Sequence, residues 1–121
     1  MHDQLTLGLL AALVLAAAGC EKKVEAPFTR KACFHMVPVE GAAPKFNRLP
    51  GVYESMEYCA AAIEMVRLQG RRQQITGSFQ GQFIFATSRG IFVGQELEGP
   101  RYLALVRTGD GRLAVPGAVR R

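Results

Sequence analysis

The chain has no tryptophan, only two histidines and only three cysteines among its 121 residues. No two cysteines form a C-x-x-C pair, which excludes the thioredoxin-type redox motif. Acids are scarce, 10 against 15 Lys and Arg. Glu54 with Glu57, and Glu96 with Glu98, are close carboxylate pairs. The first fits a helix start and the second flanks a turn, and nothing in the chain suggests a sugar-sized cleft for hydrolysis by paired acids. Gly90, Gly94 and Gly99 are spaced as turn or bulge residues rather than as a phosphate loop. In Gly77-Ser78-Phe79-Gln80-Gly81 the serine is not central, so this is not a nucleophile elbow. There is no internal repeat and no low-complexity tract.

What is present first is a leader. Leu5 to Ala18 is an almost unbroken apolar run of 14 residues. A membrane span needs about 20, so the run has the length of the apolar region of a secretion signal. It closes on Ala16-Ala17-Ala18-Gly19-Cys20, after which the composition changes to Glu21-Lys22-Lys23-Val24-Glu25. Small residues followed at once by cysteine resemble the lipobox of bacterial lipoprotein precursors. The resemblance implies cleavage before Cys20, a diacylglycerol on its thiol and often an acyl group on the new amino terminus. Two or three chains anchor stably where one is marginal, at about 0.8 kcal/mol per buried methylene. The match departs from the family at Ala17, where an aliphatic such as Leu is usual, and at Met1-His2-Asp3-Gln4, which lacks Lys or Arg. The other reading is an ordinary cleaved signal ending in Ala16-Ala17-Ala18, which would release a soluble periplasmic protein with a spare thiol at Cys20.

If Cys20 is lipidated, Cys33 and Cys59 remain as an even pair. In an oxidising compartment such a pair is expected to join. Closing the loop between them would contribute about 3 kcal/mol in the chain-entropy model, a large share for a domain this small. The alternative is two buried free thiols.

The organisation expected is a signal peptide over 1–19, a lipid-attachment cysteine and tether over 20–30, a domain over 31–118 and a frayed tail over 119–121. Lys31–Val39 reads as a strand stopped by Pro38, and Lys45–Leu49 as extended or irregular chain. A helix follows over Tyr53–Leu68, with Val52, Met56, Cys59, Ala60, Ile63 and Val66 on one face. Glu54 and Glu57 at its start and Arg67, Arg71 and Arg72 near its end suit the dipole, and Gly70 is its stop signal. Strands are expected over Gln74–Phe79, Gln82–Thr87, Ile91–Leu97, Arg101–Thr108 and Arg112–Val115. Ser88-Arg89-Gly90 and Gly109-Asp110-Gly111 are the hairpin turns. The fold class is therefore α+β, one helix packed on a small antiparallel sheet with a single disulfide: strand, helix, then three to five strands. Phe83-Ile84-Phe85 and Ile91-Phe92-Val93 do not alternate. They imply either a strand covered on both faces or an exposed docking surface.

Cys33-Phe34-His35, Phe46-Asn47-Arg48-Leu49, Cys59-Ala60-Ala61-Ala62-Ile63-Glu64, Gly77–Phe85 and Arg101–Leu113 together are similar to small, uncharacterised exported bacterial proteins. The likeness covers about residues 32–118 and implies no catalytic residue and no cofactor.

Function is less legible. Cys33 and His35 share one strand face, and with Cys59 they could serve a thiol- or zinc-dependent enzyme. A disulfide cysteine beside an ordinary half-buried histidine is the simpler account. Removing Asp3 with the leader takes the formal net charge from +5 to +6, which suits anionic surfaces. The basic residues are scattered and carry no nucleic-acid motif. Gln73, Gln74, Gln80, Gln82 and Gln95 lie among aromatic and basic strands. Gln80, Gln82, Gln95 and Arg101 form the candidate binding face, for a peptide or glycan. The expectation is an envelope lipoprotein, membrane-anchored and facing the periplasm. It would be a non-enzymatic module binding an envelope protein or an anionic polymer, with no nucleic acid, metal or cofactor.

Overall fold

A computed structural model describes residues 23–110 and 112–116. The leader, Cys20, Gly111 and the tail over 119–121 lie outside the described residues. The expected α+β class is found. Seven strands, β1 (Cys33–Val39), β2 (Ala42–Arg48), β3 (Gln74–Phe79), β4 (Gln82–Thr87), β5 (Gly90–Gly94), β6 (Tyr102–Arg107) and β7 (Leu113–Ala114), surround one helix, α1 (Met56–Gln69), in sequence. The sheet runs β2-β1-β3-β4-β5-β6-β7 and every pairing is antiparallel. Among the described residues no helix is long and apolar enough to cross a membrane.

Two strands precede the helix, not one. Gly41 at φ 74° makes a two-residue turn, so that Val39 pairs with Ala42 and the chain folds straight back. Pro44, which lacks an N–H, is tolerated because β2 is an edge strand. Pro38 does not stop β1; it sits where the β1–β2 register shifts between Val37 and Val39. The hairpin β3–β4 turns on Gln80 (φ 46°) and Gly81 (φ 85°), the positive-φ pair that a tight hairpin of native twist requires.

The helix begins three residues later than its apolar pattern suggests. Ser55, with φ −145° and ψ 162°, is the N-cap, and its Oγ accepts from the Tyr58 N–H. Tyr53 is instead drawn into the preceding loop, its N–H donating to the Lys31 carbonyl at 2.9 Å. At the other end Gly70 adopts ordinary right-handed geometry at φ −82°, and Arg71 takes the left-handed position at φ 52°. The Arg71 N–H reaches Leu68 O and the Arg72 N–H reaches Arg67 O, the two bonds of a Schellman cap.

The sheet is covered on both faces, which resolves the unalternating apolar runs. On one face α1 packs Cys59, Ala60 and Ile63 against Ile75, Phe79, Ile84, Ala86, Ile91 and Leu105. Helix and sheet approach closely over Gly77, where a Cβ would lie 2.5 Å from Ile63 Cδ1 and 2.8 Å from the Phe34 carbonyl oxygen. Cys33 of β1 and Cys59 of α1 are joined by the expected disulfide, with Cα atoms 5.4 Å apart. On the other face the rings of Phe34, Phe46, Phe83 and Phe85 follow one another at centroid spacings of 6.4 Å. This face is roofed by the segment read from sequence as a tether. Val24 and Ala26 pack on the Phe83–Phe85 cluster, Ala26 is buried, and the Gly81 N–H donates to Pro27 O at 2.8 Å. Residues 23–28 therefore belong to the folded domain rather than to a spacer.

Candidate functional site

A polar concavity lies at one end of the second sheet face. It is a cleft of about 460 Å³ lined by Gln73, Gln74, Thr87, Arg89, Phe92 and Arg101. Gln74 and Thr87 are cross-strand partners, and so are Phe85 and Phe92. The floor is thus set by the β3–β4–β5 register. Arg101 arrives from the β5–β6 loop and lays its guanidinium over Phe85, with Cζ 3.4 Å from the ring centroid. One of its N–H groups donates to Leu97 O at 3.0 Å. Arg89 projects from the β4–β5 turn. Among the described residues neither Arg89 nor Arg101 makes a salt bridge.

Both walls of this cleft are tied to one buried carboxylate. Glu64 on α1 has a side chain only 8% exposed and pairs with Arg67 on the same helix and with Arg107 on β6. Arg67 also donates to the carbonyl of Arg72 at 3.0 Å, which fixes the chain just before Gln73 and Gln74. Arg107 also donates to the carbonyls of Ser88 (2.9 Å) and Thr87 (2.5 Å), which fixes the turn that carries Arg89. Thr87 Oγ1 finishes the turn by accepting from the Arg89 N–H at 3.1 Å. Glu64 and Arg67 lie four residues after Ala60 and Ile63, so helical spacing sets both on the inward stripe of α1 although their charge reads as solvent-facing. Their position over β4 and β6 buries them.

The residues expected as a binding face are divided. Gln80 occupies the β3–β4 turn, where its Oε1 accepts from the Lys31 N–H at 2.8 Å and helps hold the roofing segment. Gln82 opens β4 opposite Phe79 and is half-buried. Gln95 borders a separate hollow of about 270 Å³ beside Lys23, Glu25, Gly81 and Glu96. These three lie at the end of β3 and β4 opposite to the cleft. Arg101 alone of the four lines it, with Gln73 and Gln74. Arg89, read only as a turn residue, was recognisable as a site residue by nothing local.

The cysteine–histidine group has another character. Both sulfurs are bonded to each other, so neither is a nucleophile or a metal ligand in this state. His35 sits half-buried on β1. Burial, and secondly the charge of Arg72, lower its pKa below the ordinary value. The described residues contain no grouping of three or more His, Cys, Asp or Glu side chains able to hold a metal.

An apolar groove of about 420 Å³ runs between α1 and β7, bordered by Tyr58, Met65, Leu68 and Leu113. Comparison of the chain with protein-family models, curated proteins and solved structures finds no match, so its site is characterised by the geometry above.

Proposed function

We propose that the chain is an exported cell-envelope lipoprotein whose domain is a non-enzymatic binding module for an envelope protein or anionic polymer. The observation that carries this reading is the Cys33–Cys59 disulfide. Disulfides of this kind persist in oxidising compartments. With two of three cysteines consumed, the odd one stands at the junction of a signal-length apolar run and a charged segment. A cysteine at that place is suited to lipid attachment. The same bond supports a binding rather than a thiol-catalytic role, because it removes both domain thiols from nucleophilic chemistry. The excess of arginine supports an anionic partner.

Intact-mass measurement of the processed protein tests the anchor. The expected species begins at Cys20 and carries a diacylglycerol. A chain starting at Gly19 or Cys20 without lipid overturns the anchoring. Thiol titration in denaturant without reductant tests the rest. Cys33 and Cys59 are expected to be unreactive, and two reactive thiols in the domain favour a soluble periplasmic enzyme using Cys33, His35 and Cys59.

A further inference from the structure

We infer that the cleft between Gln73–Gln74 and the β4–β5 turn is a binding site for an acidic saccharide, a sugar ring that carries a carboxylate or phosphate. This deepens the binding-module reading and rests on it for the ligand's biological source. Three features of the cleft point to the chemistry. Arg89 and Arg101 supply two guanidinium groups without an acid partner among the described residues. Most of the N–H donors of Arg101, and all side-chain donors of Arg89, are unused within the described residues. A planar guanidinium with open donors is matched to a carboxylate or phosphate.

The second feature is what surrounds the charge. Gln73 and Gln74 present side-chain amides with no hydrogen bond among the described residues, and amides both donate to and accept from hydroxyl groups. Phe92 is half-buried at the base and offers an apolar surface to a ring. Charge for the acid, amides for hydroxyls and an aromatic floor are the complement of an acidic sugar. A free phosphate would use the arginines and leave the amides and Phe92 idle, and a glycerol headgroup would bring no ring to Phe92. The size agrees, since about 460 Å³ accommodates a mono- or disaccharide.

The third feature is preorganisation. The buried Glu64 holds Arg67 and Arg107, and these in turn hold the backbone at Arg72 and at Thr87–Ser88. Both walls are therefore positioned before a ligand arrives, and less freedom is lost on binding.

The test titrates the full processed chain, purified in detergent, with four probes. They are a short oligouronate, its carboxyl-reduced neutral counterpart, inorganic phosphate, and vesicles containing phosphatidylglycerol. Calorimetry gives affinity and backbone amide shifts give location. The oligouronate is expected to bind and to shift Gln74, Arg89 and Phe92. Its affinity is expected to fall at least tenfold in Arg89→Ala and again with rising salt, and by several-fold in Gln73→Ala. Both residues are exposed, so these variants keep the fold even where Arg101→Gln uncovers Phe85. Equal binding of the neutral oligomer overturns the inference. So do unchanged affinity in Arg89→Ala, phosphate or vesicles matching the oligouronate, or no binding of the oligouronate at all. A lipid-free protein that still binds the oligouronate overturns the anchor and leaves this site standing; an anchored protein that ignores it does the reverse.

Discussion

Glu64 shows how a single side chain acquires a role from its surroundings. Its carboxylate is 8% exposed and the Arg67 side chain 9%, with the second partner, Arg107, at 28%. Removing the carboxylate leaves Arg67 buried without an acid. Breaking a buried pair from one side typically destabilises by about 3 kcal/mol. Glu64→Ala is therefore expected to lower the stability of the domain by about that amount, read as a drop in the urea midpoint at unchanged slope. The same substitution releases Arg107, so the amides of the β4–β5 turn should exchange with solvent faster than those of β1. His35 makes a second residue-scale prediction. Burial and the Arg72 charge lower its pKa from 6.5, so the folded state holds the ring neutral where the unfolded chain would protonate it. Because the unfolded state then binds the proton first, stability is full above pH 6.5 and declines as pH falls below it. In His35→Gln the slope of stability against pH just below that value should flatten.

At the scale of the element, the helix is set by its caps rather than by its apolar stripe. Ser55 takes the start away from Tyr53, and the left-handed residue that closes the Schellman cap is Arg71. A non-glycine side chain in that region carries a steric penalty of roughly 1 kcal/mol. Arg71→Gly is thus expected to raise thermal stability by about 1 kcal/mol, and no change in the melting temperature would count against this account of the cap. The disulfide acts on the same helix from its inner face. It spans 26 residues and ties α1 to β1 across the β2 hairpin. Reduction should cost about 3 kcal/mol by the loss of chain restriction in the unfolded state. Denaturant unfolding with and without dithiothreitol measures it directly.

For the molecule as a whole, the defining feature is one sheet with two cores. The helix closes the first, and residues 23–28 close the second with Arg101 beside them. The second cover is thin, since it rests on Val24, Ala26 and a few hydrogen bonds. A carboxylate placed at the buried Ala26 would face the Phe83–Phe85 cluster without a partner. Ala26→Glu is expected to destabilise by about 2 kcal/mol or more and to increase binding of a hydrophobic dye. An unaltered denaturation curve would mean that this segment is not part of the core. The arrangement also bears on the proposed anchoring. With the fold beginning by residue 24, any spacer from Cys20 is only a few residues long, and a lipidated protein would ride close to the membrane surface.

The local chemistry of the chain by itself determined the α+β class, the β4–β5 hairpin and the helix, and it pointed to Cys33 and Cys59 as disulfide partners once Cys20 is assigned to the leader. Each follows from short-range periodicity, glycine placement or cysteine parity, which neighbouring residues carry on their own. β2 is not legible in the sequence because its strand propensity is poor; pairing with β1 across Gly41 outweighs that. Residues 23–28 look like a spacer in the sequence because their worth lies in packing on Phe83 and Phe85, more than fifty positions away. The cleft was hidden for the same reason. Gln74 was legible as a polar amide and Arg101 as a candidate, but Arg89 joins them only when β3, β4 and β5 align and Arg107 fixes the turn. Long-range register and burial are decided by the sum of many weak contacts, and no short stretch of residues records that sum.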